Sequence, residues 1–292
     1  MNIALIGYGY WGKKVYKTLS SIISKKNIFV VEPNQKKTIA NIETKTFKEI
    51  LFDKTITQVF IATPEITHFK IAKQCLENNK NIFVEKPLCL KKKEAVELHQ
   101  IAKKNNLKIY VDYIFIYDPY VKKISELIKK NTIGKLTRIE SIRHSINISK
   151  PIISVFDDLA IHDIYLGKYF LKKECNKTKT IKELIVSKQI KQASAIFSYG
   201  KINFFANYSW IQPVAKRTMI FFGKEAIIVW DKNEKDLFIY KNQKLAKKIK
   251  VKIVSSPLEL SIKEFMFGKN NYNYISDVKI LEDLDKQLLN LA

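Results

Sequence analysis

The chain has 292 residues, 46% of them hydrophobic, and a formal net charge of +24. That length and hydrophobic share predict two domains with real cores and exclude a disordered or low-complexity chain. Three cysteines without metal-ligand spacing, and no apolar run near the ~18–20 residues of a membrane span, exclude a disulfide scaffold, a cysteine metal site and a helical membrane protein.

Several expectations follow from the same features. The thiols read as reduced, in a cytoplasmic protein with no bound metal. The chain enters a strand at once, which predicts no secretory leader. Lysines come as short pairs along the whole sequence, from Lys25-Lys26 to Lys247-Lys248, with no arginine stripe interleaved with aromatics. The charge therefore reads as cover for solvent faces rather than a specific nucleic-acid surface. A weaker role remains: a basic field helps attract a substrate carrying phosphates.

In chain order, an apolar run at Ile3–Ile6 feeds Gly7-x-Gly9-x-x-Gly12, and Trp11, Val15, Leu19 and Ile22 then recur at helical spacing. Strand, glycine turn and helix in that order point to a dinucleotide site. Gly7 permits the turn, Gly9 lets a pyrophosphate approach the backbone, and Gly12 lets helix and strand pack closely. Tyr8, Tyr10 and Trp11 complete the loop. The helix N-terminus offers N–H groups and partial positive charge to phosphates. A second run, Ile28–Val31, ends in Glu32, placed to accept from the adenosine ribose hydroxyls and to repel a 2′-phosphate, which favours NAD over NADP.

Further strands are predicted at 58–62, 82–84 and 108–111, with helices at 69–78 and 94–103 between them. Strand–helix alternation of this kind gives a parallel sheet with helices on both faces, an α/β Rossmann domain. Thr63 and Pro64 follow one strand end on the ligand-binding side. His68 opens the next helix, and its position fits a cofactor contact and a locally bonded helix start equally well. Glu85-Lys86-Pro87 follows another strand, and Pro87 biases Lys86 to an extended backbone.

After Asp118-Pro119 the pattern changes, which sets domains at 1–118 and 119–292. A helix at 120–130 precedes strands at 136–144, 184–188, 194–199, 202–210, 219–222, 226–231, 237–240 and 245–254. Short turns between them imply a mainly antiparallel open sheet, an α+β domain. Within it, a helix at 157–170 carries Asp158 and His162 at i and i+4, on one face. Such a pair is either a surface interaction or a carboxylate orienting an imidazole. Helices at 257–267 and 276–291 close the chain.

Together these residues resemble the glucose–fructose oxidoreductase / inositol dehydrogenase family. The resemblance rests on GYGYWG (7–12), IATPEITH (61–68), EKP (85–87), DYIFIYDPYV (112–121), DLAIHD (158–163), SWIQPVAKR (209–217) and the Pro-Leu-led helix at 257–267. Tyr10-Trp11, the IFIYDP segment and the SWIQPVAKR strand are most similar to the branch acting on nucleotide-linked sugars. The sequence departs from the family at Ala160, usually glycine, and at Ile116, where many sugar-acting relatives carry arginine.

The resemblance implies an NAD(P)-dependent sugar dehydrogenase or ketoreductase, with the sugar on a nucleoside diphosphate, of the kind that feeds surface polysaccharides or deoxysugars. It implies that Lys86, Asp158 and His162 face the nicotinamide and the reacting carbon. The chemistry of hydride transfer then casts His162 as proton shuttle, Lys86 on the substrate oxygen and Asp158 as orienting His162 or a neighbouring hydroxyl, with the Lys86 and His162 roles interchangeable. Gly7, Tyr8, Gly9, Tyr10, Trp11, Gly12, Glu32, Thr63, Pro64, His68, Glu85 and Lys86 would line the cofactor site. A homodimer or homotetramer through the second sheet is implied as well. The rival expectation is a binding protein of the same fold that senses NAD(H) or a sugar without turnover.

Overall fold

A computed structural model describes residues 1–32, 42–146, 153–186 and 189–268. These form two units: residues 1–114 together with 255–268, and residues 115–254.

The first unit is a five-stranded parallel sheet of β1 (Asn2–Ile6), β2 (Ile28–Val31), β3 (Ile56–Ile61), β4 (Asn81–Val84) and β5 (Ile109–Val111), in the order β2-β1-β3-β4-β5. Its strands are almost wholly buried, as expected of a parallel sheet covered on both faces. The helices are α1 (Tyr10–Ile22), α2 (Phe47–Phe52), α3 (His68–Glu77) and α4 (Lys92–Lys104). The short α2 is additional to the predicted elements. Its start is a capping box in which Thr46 Oγ1 accepts from Glu49 N–H and the Glu49 carboxylate accepts from Thr46 N–H.

The helix predicted at 257–267 is α7 (Pro257–Phe267), and it belongs to this first unit, although it follows residue 119 in sequence. The reason is an aromatic row. Phe60, Phe83 and Tyr110 stand in register across β3, β4 and β5. Phe265 of α7 lies on all three, with ring centroids 5.3, 5.7 and 5.9 Å away. The helix expected at 276–291 falls outside the described residues.

The second unit is an eight-stranded sheet in the order β13-β12-β11-β10-β6-β9-β8-β7. Its strands are β6 (Leu136–Ile146), β7 (Lys177–Val186), β8 (Gln189–Tyr199), β9 (Ile202–Ser209), β10 (Ile211–Gly223), β11 (Ile227–Asp231), β12 (Asp236–Lys241) and β13 (Lys244–Lys250). Neighbours are antiparallel except the parallel pair β6 and β9. The strand expected at 184–188 lies earlier, at Lys177–Val186. That stretch is rich in lysine and threonine because it is an edge strand with a largely exposed surface. The opposite edge, β13, is also lysine-rich, a charge pattern that discourages further strand pairing.

Two more helices, α5 (Pro119–Lys129) and α6 (Val155–Leu171), complete this unit. Helix α6 lies on one sheet face. Phe156 meets Phe197 and Tyr208, and Phe170 meets Phe221 at 4.9 Å. Gly167 leaves room for the Tyr199 ring, whose hydroxyl donates to Ile164 O at 2.8 Å. Beneath the helix, Arg143 of β6 donates to Asp163 Oδ1 at 2.8 Å, and Tyr208 of β9 donates to Oδ2 at 3.1 Å. Asp163 is fully buried. Removing it leaves a buried guanidinium uncompensated. Asp163→Ala is therefore expected to lower stability by ~3–5 kcal/mol, and Tyr208→Phe by ~1 kcal/mol, read as shifts of the denaturant midpoint; equal midpoints for Asp163→Ala and wild type would contradict this.

Candidate functional site

Strand order in the first sheet reverses between β1 and β3, so a crevice opens beyond their carboxyl ends. The glycine turn sits there. Gly7 has φ +95°, and its N–H donates to Val31 O at 2.8 Å. A Cβ on Gly7 would lie 2.5 Å from Ala62 O, and one on Gly12 would lie 2.1 Å from Gly7 O. A Cβ on Gly9 would meet nothing within 4 Å. Gly7 and Gly12 are thus packing glycines, whereas Gly9 keeps backbone open to an incoming group. Gly9 is also the N-cap of α1 and brings no capping side chain to the helix's first-turn N–H groups.

Around this turn is a cleft of about 1110 Å³. Its walls include Gly7, Tyr8, Gly9, Tyr10, Trp11, Glu32, Thr63 and Pro64. Glu32 is folded back on the turn, with Oε2 accepting from Tyr8 N–H at 2.7 Å. That bond brings a carboxylate from the end of β2 beside the N-terminus of α1. Lys13, Phe47 and Lys70 also line the cleft, and none was singled out in the sequence. Phe47 and Lys70 sit on separate helices, so only the folded sheet brings them to one wall.

His68 is placed differently. Its ring is buried, with Nδ1 2.7 Å from Pro87 O and Nε2 2.9 Å from Thr63 O. A neutral imidazole has one N–H and donates to one of these carbonyls at a time. Burial holds its pKa below the usual histidine value. His68 therefore joins the loop after β3 to the loop after β4 and is absent from the cleft lining.

Glu85 follows β4, and its Oε1 accepts from Trp11 Nε1. Beside it, at the end of β5, is the buried Asp112. Lys86 is half-buried between Glu85 and Pro87, and the Lys86–Pro87 peptide is cis.

In the second unit, Ser154 caps α6 in a reciprocal box with Asp157. This starts the helix so that Asp158 and His162 fall one turn apart. Asp158 is buried and His162 half-buried. The His162 ring stands edge-on to Phe115 at 4.7 Å, and the Arg143 guanidinium lies 4.8 Å from that same phenyl ring. Arg217 of β10 is the cross-strand partner of Arg143 and feels the Asp158 charge. Neither arginine was identified from the sequence. Their alignment needs the β6–β10 register, which no local motif encodes.

Among the described residues, no group of three His, Cys, Asp or Glu side chains could hold a metal, and no helix is long and apolar enough to cross a membrane.

The model of an oxidoreductase family with an NAD-binding Rossmann fold, Gfo/Idh/MocA, matches residues 1–113. The match takes in all five strands of the parallel sheet. An oxidoreductase of Formosa agariphila is 30% identical over 209 residues, 65% of this chain and 65% of that protein. The scyllo-inositol 2-dehydrogenase (NAD(+)) of Bacillus subtilis is 33% identical over 138 residues, 43% of this chain and 38% of that enzyme. The chain thus spans less than two thirds of the length of either relative. In fold, the chain is similar to UDP-N-acetylglucosamine 3-dehydrogenase from Acidithiobacillus ferrooxidans, with a TM-score of 0.84 at 19% identity, covering 98% of this chain and 96% of that one.

The cleft fits the family's cofactor. Open backbone at Gly9, uncapped N–H groups on α1 and the Glu32 carboxylate are the donor and acceptor set that a pyrophosphate and a ribose require. Gly9→Ala is expected to weaken NADH binding by at least about tenfold, an affinity loss of ~1.4 kcal/mol, with an unchanged melting temperature. Gly12→Ala is expected to cost ~1–3 kcal/mol of stability through its clash with Gly7 O. NADH titration with thermal melting separates the two, and a destabilised Gly9→Ala with normal affinity would reverse the assignment.

Proposed function

We propose that the protein is an NAD-dependent oxidoreductase that moves a hydride between nicotinamide and a sugar carbon, the sugar being carried on a nucleoside diphosphate. The observation that carries the cofactor half is Gly9, open to the cleft at the head of α1 with Glu32 folded against the same turn. The substrate half is supported by the likeness to a scyllo-inositol 2-dehydrogenase and to a UDP-N-acetylglucosamine 3-dehydrogenase. A net charge of +24 suits a substrate carrying phosphates.

Bound NAD supplies the hydride acceptor at nicotinamide C4. The remaining work is proton transfer and positioning. We assign His162 the hydroxyl proton, because a half-buried imidazole beside a carboxylate one helical turn away is an oriented base. Asp158 holds that ring. Lys86, on the segment fixed by Pro87, holds the substrate oxygen as an ammonium donor. In the reducing direction the same groups return the proton. The outward apolar residues of the second sheet, such as Ile181, Ile185 and Val214, support a dimer or tetramer through that sheet. The buried thiols Cys75, Cys89 and Cys175 suit a reducing cytoplasm.

A panel of nucleotide sugars followed by NADH absorbance tests the substrate. Lys86→Met and His162→Ala, each purified folded, are expected to lose ~10²–10⁴-fold in kcat; near wild-type turnover in both would end the assignment. Glu32→Ala is expected to narrow the preference for NAD over NADP, measured as the ratio of the two dissociation constants; an unchanged ratio would remove Glu32 from cofactor choice.

A further inference from the structure

A chain of polar contacts, half-buried at Trp11 and Glu85 and buried at Asp112 and Ser261, runs behind the glycine turn within the first unit. At the start of α1, Trp11 Nε1 donates to Glu85 Oε1. Glu85 and Asp112 stand side by side at the ends of β4 and β5, one residue beyond the paired Val84 and Val111, and each carboxyl feels the other. Ser261, from α7, donates to Asp112 Oδ1 at 2.5 Å and lies 3.5 Å from the Tyr110 hydroxyl. Asp112 is only 1% exposed, and among the described residues no donor reaches its Oδ2.

Two ionised carboxylates are acceptors only and cannot bond to one another. A proton must lie between them. Among the described residues no donor comes to Asp112 Oδ2, so that oxygen is where the proton belongs. Glu85 is the better place for the negative charge, because Trp11 donates to it and Lys86 is adjacent.

We propose that Glu85 and Asp112 form a carboxyl pair carrying one proton, and that this pair positions Trp11, and through it the glycine turn, for dinucleotide binding. The pair consists of positioning residues. The inference rests on the NAD-binding reading of the first unit and is independent of the sugar chemistry.

The groups facing the pair make it sensitive to alkali. Lys86 on Glu85's own segment is the cation. Trp11 from α1 and Ser261 from α7 are neutral, and the Tyr110 phenol stands beyond Ser261 on β5. Losing the shared proton leaves two adjacent anions, Asp112 buried and Glu85 half-buried, against one ammonium. Burial and the Glu85 charge both push the Asp112 carboxyl well above the usual carboxylate range. The folded form therefore binds more protons than the unfolded form from that range up to the pair's own titration. Stability falls as pH rises through this window, and dinucleotide affinity falls where the pair itself loses its proton.

The test follows NADH affinity and Trp11 emission from about pH 5 to about pH 9, with Trp11→Phe identifying the Trp11 signal. Wild type is expected to lose affinity with rising pH and to show the infrared carbonyl band of a protonated carboxyl. Asp112→Asn donates an amide N–H to Glu85 without titrating, so it should bind NADH with a flat profile and lack the band. Trp11→Phe should bind NADH about tenfold more weakly at all pH values at which the wild-type pair is protonated. Ser261→Ala, which leaves both carboxyls in place, should move the wild-type transition to higher pH, because the lost hydroxyl stabilised the charged Asp112. Retention of the wild-type profile and band by Asp112→Asn would overturn the proposal, as would wild-type affinity in Trp11→Phe. If Asp112→Asn fails to fold, an unmoved transition in Ser261→Ala overturns it instead. A protein that binds NADH but oxidises no sugar leaves these readouts intact. One that binds no NADH at any pH ends the dinucleotide reading, and the infrared band and Trp11 emission still judge the pair.

Discussion

The backbone at Gly7 runs so close to the Ala62 carbonyl that no side chain fits between them. This contact joins the ends of β1 and β3, the two strands at which the order of the first sheet reverses. Everything that makes the cleft useful follows from it. The turn can double back into α1 only because Gly7 takes a left-handed φ, and α1 can sit low against the turn only because Gly12 lacks a Cβ. The helix N-terminus then points into the crevice. Glu32 and the Thr63–Pro64 loop stand on either side because β2 and β3 flank β1.

Much of this was legible in the sequence for a simple reason. The glycine turn, Glu32 and the strand ends are local features, and a parallel sheet repeats one rule at every strand end. The i, i+4 spacing of Asp158 and His162 was readable in the same way. What escaped were pairings made across long sequence separations. Trp11 and Glu85 are 74 residues apart, and Asp112 and Ser261 are 149 apart. Each looks like an ordinary loop or helix residue until strand register and the return of α7 place them together. The opposition of Arg143 and Arg217 is of the same kind. The position of α7 itself was misjudged from chain order, since nothing in PLELSIKEFMF names the aromatic row it covers. His68 was undecided for a different reason: helix-start position says nothing about which way the ring turns. Its two carbonyl neighbours arrive from loops 5 and 19 residues away.

The second unit solves a different problem. A wide open sheet has two faces to cover, and α6 covers part of one. The helix is anchored by a buried carboxylate on two strands and by a tyrosine ring fitted against a glycine. Those anchors lie on the same helix as Asp158 and His162. Rigid support of this kind fixes the helix that carries the proposed catalytic pair.

The late position of α7 has a consequence for biosynthesis. A ribosome delivers β1 through β5 long before Phe265, and the whole second unit is translated in between. Until residue 265 emerges, the rings of Phe60, Phe83 and Tyr110 lack their cover and Asp112 lacks its serine. The N-terminal sheet, first to be made, is thus among the last parts to be finished. A nascent chain stalled anywhere in the second unit carries an unsealed apolar patch, the kind of surface that holdase chaperones bind.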